Sequence, residues 1–380
     1  MTRDGAVNSN CEAKLTILMV SNEGSLTGAP LFLERLAREL SDDGYRVAVF
    51  FSGSGVLVDR MISDGFEIYC SEKRLPGKGK VFSILHRAIH YIRFFNYTRH
   101  INPDIIYSNT IVNCGEVVIG RILGLPILLH MHEGRQFASK LKRRLKVQTM
   151  LSNDVLVGSE YANRVLYSLT GKYGTVVRVG VSGIPVGHRT RAHPHSSLRV
   201  GVLGTIDSNK GQIIALKAVS MARAEGLKVE LILAGAEHDQ GYSNKLRDFA
   251  VFNKLEGMVS FLGRIENTAS FFEAIDVLAV CSYDEVFPTV ILEAMRERKL
   301  VIATKVGGIP EIIEDGLSGL LYQAGNASEL SRCLIEVSKF GDFGLGIIER
   351  AHSKFYELYQ ISNSVDAIKE RFNLLLSHSG

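Results

Sequence analysis

The chain has 380 residues, more than one hydrophobic core usually holds, so two domains are expected. It is 46% hydrophobic and 22% charged, with no run of about 18 apolar residues, which excludes a membrane-spanning helix. The net charge of +4 divides unevenly: residues 1–190 carry +8 and residues 191–380 carry −4, so the first half is expected to meet something anionic.

In chain order, the first half offers strand-like runs LTILMV, RVAVFF, FEIYC, DIIYS, PILLHM, DVLVGS and TVVRVG. Helical stretches such as PLFLERLAREL and ANRVLYSLT lie between them. Strands separated by helix-length segments predict βαβ units and a parallel sheet. Continuous apolar strands such as PILLHM fit a sheet covered on both faces. The segment GVSGIPVGHRTRAHPHSS, residues 180–197, breaks the periodicity and reads as a hinge linker. The alternation restarts with LRVGVLG, KVELILAG, MVSFLG, DVLAVCS, LVIATKV and SGLLYQ, and the tail from Glu349 to Leu376 reads as helical. The expected fold class is α/β: two Rossmann-like domains, at 1–188 and 196–354, followed by a C-terminal helix near 355–380. Open α/β sheets bind ligands at the C-terminal ends of their strands, so the chemistry is expected in the loops that follow strands, at a cleft between the domains.

Five loops carry candidate chemistry. After the first strand, SNEGSLTGAP leads into a helix. Gly28 is read as permitting a sharp turn, after which the helix N-terminus offers free N–H groups to an anion; the alternative is an ordinary βα turn. No G-x-G-x-x-G follows a strand, which disfavours a nicotinamide enzyme. PILLHM ends in HEG, with His130 and His132 on one face of the strand; His132, nearer the loop, is the candidate for contact with a substrate hydroxyl. In VGVLGTIDSNKG, Lys210 stands at a helix N-terminus, where a cation opposes the helix dipole by about 0.3–1 kcal/mol. An anion, phosphate above all, would neutralise both.

The stretch YDEVFPTVILEAM places Glu285 before a helix read as starting at Pro288, and Glu293 about 7–8 Å up its axis. Exposed N–H groups of Thr289 and Val290 make another anion site. Carboxylates do not bind phosphate but accept hydrogen bonds from hydroxyls, so the ligand should carry hydroxyls on both sides of a diphosphate. A nucleotide sugar has that layout. Finally, TKVGGIPEIIEDGLSGLL holds Gly307 and Gly308, which allow close backbone approach. The five cysteines (Cys11, Cys70, Cys114, Cys281, Cys333) show neither CxxC nor a Cys/His cluster and read as reduced cytosolic thiols. The opening MTRDGAVNSNCEAK has no apolar signal core.

The stretches TGAP, HMHE, GTIDSNKG, EVFPTVILE with its E-x7-E, VGGIPEII and GLSGLLY occur in the order seen in one family. The chain resembles the retaining glycosyltransferases of family 4, in the glycogen-phosphorylase and glycosyltransferase superfamily, over nearly its whole length. The resemblance implies the GT-B fold, with the acceptor on the N-terminal domain, the nucleotide sugar on the C-terminal domain and the last helix crossing back. It implies a hexosyltransferase serving surface polysaccharide or glycolipid synthesis. By position, Lys210 is similar to the family's diphosphate lysine, Glu285 to its donor-sugar acid and Glu293 to its ribose acid. Gly28 is similar to the glycine near the phosphates and His132 to the cleft histidine. Arg264 and Ile265 fall where the base meets main chain, and Phe287, Pro288, Thr289 and Val290 complete the donor side. One departure is Thr205, where many members carry an arginine that would clamp the phosphates. The alternatives are a GT-B sugar-nucleotide epimerase and a non-catalytic sugar-nucleotide-binding subunit.

The expected donor is a UDP- or GDP-sugar, with no cofactor and no metal, since no Asp-x-Asp stands in a suitable loop. Leaving-group charge would be met by Lys210, the Pro288 helix terminus and the Gly28 loop. The acceptor is expected to be a glycan or lipid-linked. FASKLKRRLKVQTM reads as a basic helix with Lys140, Lys142, Arg143, Arg144 and Lys146, and with Phe137, Leu141 and Leu145 every four residues on one face. A basic run with aromatic residues also lies upstream, at 72–100. Such helices suit anionic membrane surfaces, so the expected location is cytoplasmic, peripheral on the inner face of the membrane. Nucleic acid is not expected as a partner.

Overall fold

In the computed structural model, the structure describes residues 15–71, 80–183, 197–339 and 342–377. Most of the expected linker (184–196), the first 14 residues and the 72–79 part of the upstream basic run lie outside the described residues.

Among the described residues thirteen strands form two sheets. The first holds β1 (Thr16–Ser21), β2 (Arg46–Phe51), β3 (Glu67–Cys70), β4 (Ile105–Ser108), β5 (Ile127–Met131), β6 (Asp154–Val157) and β7 (Thr175–Val176), in the order β3-β2-β1-β4-β5-β6-β7. The second holds β8 (Leu198–Leu203), β9 (Val229–Ala234), β10 (Val259–Gly263), β11 (Val277–Val280), β12 (Leu300–Thr304) and β13 (Leu320–Tyr322), in the order β10-β9-β8-β11-β12-β13. Pairing is parallel, as for β1 with β2 and β8 with β11. Each order turns back on itself once, between β1 and β4 and between β8 and β11, which is the doubly wound pattern. Central strands are buried along nearly their whole length, because helices cover both faces. Every strand-like run read from the sequence is a strand, although TVVRVG keeps only two residues of β7.

The chain forms two compact units, Met1–His130 with Arg143–Val155 and Lys369–Gly380, and Met131–Lys142 with Leu156–Ile368. The core of the first includes Leu18, Val20, Phe50, Phe94, Ile106 and Val117. The core of the second includes Val200, Leu216, Leu231, Val277, Ile302 and Leu330.

The tail is two helices, Asp342–Leu358 and Ile361–Ser377, rather than one continuous helix. Val181 causes the break: its N–H donates to the Tyr359 carbonyl at 3.1 Å, and its own carbonyl accepts from Ile361 N–H at 2.9 Å. Main-chain groups that would continue the helix are used by this bridge instead. In the first unit, Arg371 donates to Asp154 at 2.7 Å and the Phe372 ring meets Tyr107 edge-on, fastening residues 369–377 there.

The basic stretch also differs from expectation. It is two helices, Arg135–Lys140 and Lys142–Leu151, separated at Leu141. The expected apolar stripe is therefore not one surface: Leu145 is buried, whereas Phe137 is 47% exposed. Lys140, Lys142, Arg143, Arg144 and Lys146 are all exposed. The first two group with the second unit and the other three with the first.

Candidate active site

The second sheet reverses between β8 and β11, and the loops leaving those strands carry Lys210 and Glu285. A parallel sheet opens a crevice where its connections diverge to opposite faces. Two residues 75 positions apart therefore meet there: Lys210 Nζ lies 2.5 Å from Glu285 Oε1. Ser282 Oγ donates to the same oxygen at 2.7 Å, and Thr304 Oγ1 holds the Ser282 carbonyl at 2.8 Å. Burial works against the lysine's charge, but the Glu285 carboxylate and, to a lesser degree, Asp207 outweigh it, so the Lys210 pKa lies above that of a free lysine. Lys210 stays cationic at neutral pH, and about a third of its side chain (32%) remains exposed.

The backbone around the pair is tied down. Lys210 N–H donates to Asp207 Oδ1 at 3.0 Å, and Gly211 next to it caps the Gln212–Ala224 helix in the left-handed region, with φ +64°. Tyr283 N–H donates to the Asn209 carbonyl at 2.8 Å, and Asn209 Nδ2 donates to the Asp284 carbonyl at 3.1 Å. Gly308 N–H donates to the Glu285 carbonyl at 3.0 Å. A Cβ at Gly307 would stand 1.8 Å from that carbonyl, and one at Gly308 would stand 2.0 Å from the Val286 carbonyl. The two glycines therefore permit the close approach expected of them.

Pro288 is the N-cap of a helix that begins one residue later than expected, Thr289–Arg296. No side chain caps this terminus and its first turn holds no acid, so its N–H groups are not claimed by a carboxylate of their own helix. Thr289 and Val290 are half-buried. Glu293, 9% exposed, lies within the helix. Phe287 is 8% exposed and its ring packs against Tyr359, with centroids 5.8 Å apart. Thr205 is half-buried, and its carbonyl accepts from Gln212 Nε2 at 2.8 Å. Arg264 is exposed and Ile265 half-buried, just past the end of β10.

His130 and His132 separate clearly. His130 is fully buried in the first unit, its Nδ1 2.6 Å from the Tyr107 hydroxyl and its ring edge-on to Phe32. It is a core histidine. His132 lies one residue beyond β5, half-buried, and its N–H donates to Glu133 Oε2 at 3.0 Å. Burial pushes its imidazole down to about 3, so it is neutral at pH 7. The unfolded chain, with a histidine near 6.5, then binds more protons in acid, and stability falls as pH drops from about 6.5 towards 3. Replacing His132 with Gln should flatten that limb of a denaturation-against-pH curve; an unchanged limb would show that His132 is not dehydrated.

Gly28 belongs to the first unit and opens the Gly28–Asp42 helix. The chain bends at Leu26 and Thr27 just before it, but the position does not require glycine: its φ is not positive and a Cβ there would meet nothing within 4 Å. The uncapped helix terminus beside it remains as an anion-type feature.

Residues the motifs did not single out also support the site. Ser282 shares Glu285, and Asn209 fastens the lysine loop. Glu311, inside VGGIPE, accepts N–H groups of Glu160 and Tyr161 at 2.9 and 2.8 Å and so caps the Glu160–Thr170 helix. Among the described residues no group of three or more His, Cys, Asp or Glu is arranged to hold a metal ion, and no helix is long and apolar enough to cross a membrane.

A family model for glycosyl transferases group 1 matches residues 188–351, which carry this pair. An uncharacterised glycosyltransferase of Methanocaldococcus jannaschii is 39% identical over 243 residues, 62% of this chain and 65% of that one. A Campylobacter jejuni α-1,4-N-acetyl-D-galactosaminyltransferase, named for an undecaprenol-diphosphate-linked glycan, is 26% identical over 178 residues, 46% of each chain. The chain thus spans less than two thirds of the length of these curated relatives. Anabaena Alr3699/HepE, solved with UDP and glucose, superimposes with a TM-score of 0.83 at 22% identity, over 94% of this chain and 99% of that one. The fold is GT-B.

Proposed function

We propose, for a chain whose residues 188–351 match the glycosyl transferases group 1 family on a GT-B fold, that it transfers a sugar from a nucleotide-sugar donor to an acceptor hydroxyl with retention at the anomeric carbon. The Lys210–Glu285 pair at the β8/β11 switch carries this reading. The bond to be broken releases a nucleoside diphosphate, so developing negative charge must be met by fixed positive groups. Lys210 is such a group, and the Thr289–Arg296 helix terminus offers N–H groups to the same kind of charge. Glu285 faces hydroxyls of the donor sugar, and Glu293 those of the ribose. Neutral His132 serves as a hydrogen-bonding group near the reacting carbon. No metal is required in this scheme, because Lys210 and the helix terminus supply the charge. The presence of an E-x7-E pair with a conjoined lysine supports transfer over mere binding.

A panel of UDP-, GDP- and ADP-sugars in a thermal-shift assay tests the donor. Ligand at a hundredfold excess over its dissociation constant stabilises by about 2.7 kcal/mol. One class should raise the melting temperature, and labelled donor of that class should pass to an acceptor. No shift with any of them would remove the reading.

The acceptor is proposed to be lipid-linked, and the exposed Arg143, Arg144 and Lys146 to meet an anionic membrane surface. The C. jejuni relative's undecaprenol-linked substrate supports this direction. The protein should sediment with anionic vesicles at low salt and be released by high salt, since each cation near such a surface contributes about 1 kcal/mol. Failure to sediment would end the membrane proposal.

A further inference from the structure

We infer that Asp284 is a positioning residue, whose carboxylate fastens the turn after His132 to the loop that carries Glu285. The proposal rests on the glycosyl-transfer reading. All the groups involved lie in the second unit. Asp284 Oδ1 accepts the Tyr161 hydroxyl at 2.7 Å, and Oδ2 accepts Gln136 N–H at 3.4 Å, in the first turn of the Arg135–Lys140 helix. The main chain of the same residue is held from another side by Asn209, next to Lys210. Asp284 therefore joins three segments: the lysine loop, the glutamate loop and the turn four residues past His132.

Two further observations show that this contact shapes its surroundings. A Cβ at Gly134 would stand 2.7 Å from Asp284 Oδ2, although the Gly134 backbone (φ −74°, ψ 173°) suits any residue. The carboxylate, not the backbone, accounts for glycine there. Burial, reinforced by the Asp284 hydrogen bond, raises the Tyr161 hydroxyl to about 12, so it remains a proton donor to the carboxylate across the working range. Glu311 holds the N–H groups of Glu160 and Tyr161, so the tyrosine reaches Asp284 from a fixed helix end.

Positioning differs from a merely structural role in what it changes. A catalytic group misplaced by about 1 Å can cost about a hundredfold in rate. Asp284→Ala should lower kcat for the accepted nucleotide sugar at least tenfold and leave its KM within about threefold. Tyr161→Phe, which keeps the packing, should lower kcat two- to fivefold in the same pattern. Gly134→Ala should reproduce the Asp284→Ala defect by displacing the carboxylate, yet add nothing in the Asp284→Ala background. Hydrogen exchange of the ligand-free protein reads the contact without activity: amides 132–137 should exchange faster in Asp284→Ala and in Gly134→Ala.

Unchanged kcat and unchanged exchange in Asp284→Ala would overturn the proposal, as would additive losses in the double variant. A rise in KM alone would do the same, assigning Asp284 to substrate binding. Wild-type protein that turned over no nucleotide sugar would instead overturn the glycosyl-transfer reading, while the exchange result would still decide whether Asp284 holds the turn.

Discussion

Lys210→Met is expected to lower turnover at least tenfold and, by analogy with loss of one preorganised donor to developing charge, by about 10²–10³. Methionine keeps most of the side-chain volume and removes the ammonium group that now sits 2.5 Å from Glu285. Two effects combine. The departing diphosphate loses a cation, and Glu285, only 12% exposed at its side chain, loses the partner that balances its charge. The stranded, largely buried carboxylate should also lower stability somewhat. Steady-state kinetics with the donor identified by thermal shift is the measurement. Near wild-type kcat would remove Lys210 from the chemistry. Glu285→Ala, which removes the acceptor for sugar hydroxyls and leaves Lys210 in place, should also cost at least tenfold.

Gly307→Ala is expected to damage fold and activity together. Gly307 has φ +56°, which costs a residue with a side chain roughly 1–2 kcal/mol. Its Cβ would also stand 1.8 Å from the Glu285 carbonyl, a backbone atom that cannot swing aside. The combined loss should be about 3 kcal/mol or more, in the range reserved for strained backbone positions. For a unit of this size that lowers the melting temperature by roughly 6–12 °C. Turnover should fall too, because the Gly308 N–H bond to the Glu285 carbonyl at 3.0 Å positions the acid. Gly316→Ala is the control. Gly316 has φ +73° but a Cβ there meets nothing within 4 Å, so only the conformational cost of roughly 1–2 kcal/mol should appear. Equal shifts for Gly307→Ala and Gly316→Ala would show that the clash with Glu285 is immaterial.

The central strands were legible because strands covered on both faces must be apolar throughout, and such runs stand out from amphipathic helices; partly exposed edge strands such as β3 and β10 showed as shorter β-rich runs. Parallel pairing was legible for the same reason, since a helix-length segment separates each strand from the next. Lys210, Glu285 and the two glycines of VGGIP were legible as residue types that suit their loops. Local pattern misled where a distant segment intervened. The periodicity of Phe137, Leu141 and Leu145 implied one helix face, but the chain turns at Leu141 and buries only Leu145. The tail read as one helix until Val181 took the main-chain bonds at Tyr359 and Ile361. Gly28 looked like a turn glycine and has ordinary backbone with open space around it.

By itself, then, the order of residues determined two doubly wound sheets and the kinds of group that follow their strands. Only the tertiary structure decided which of those groups meet. The order β9-β8-β11 puts Lys210 against Glu285 across 75 residues, and neither periodicity nor composition carries information over that separation. The same holds for Asp284, which in sequence is only the acid before Glu285. Its role depends on a tyrosine hydroxyl and a backbone N–H that lie 123 and 148 residues away.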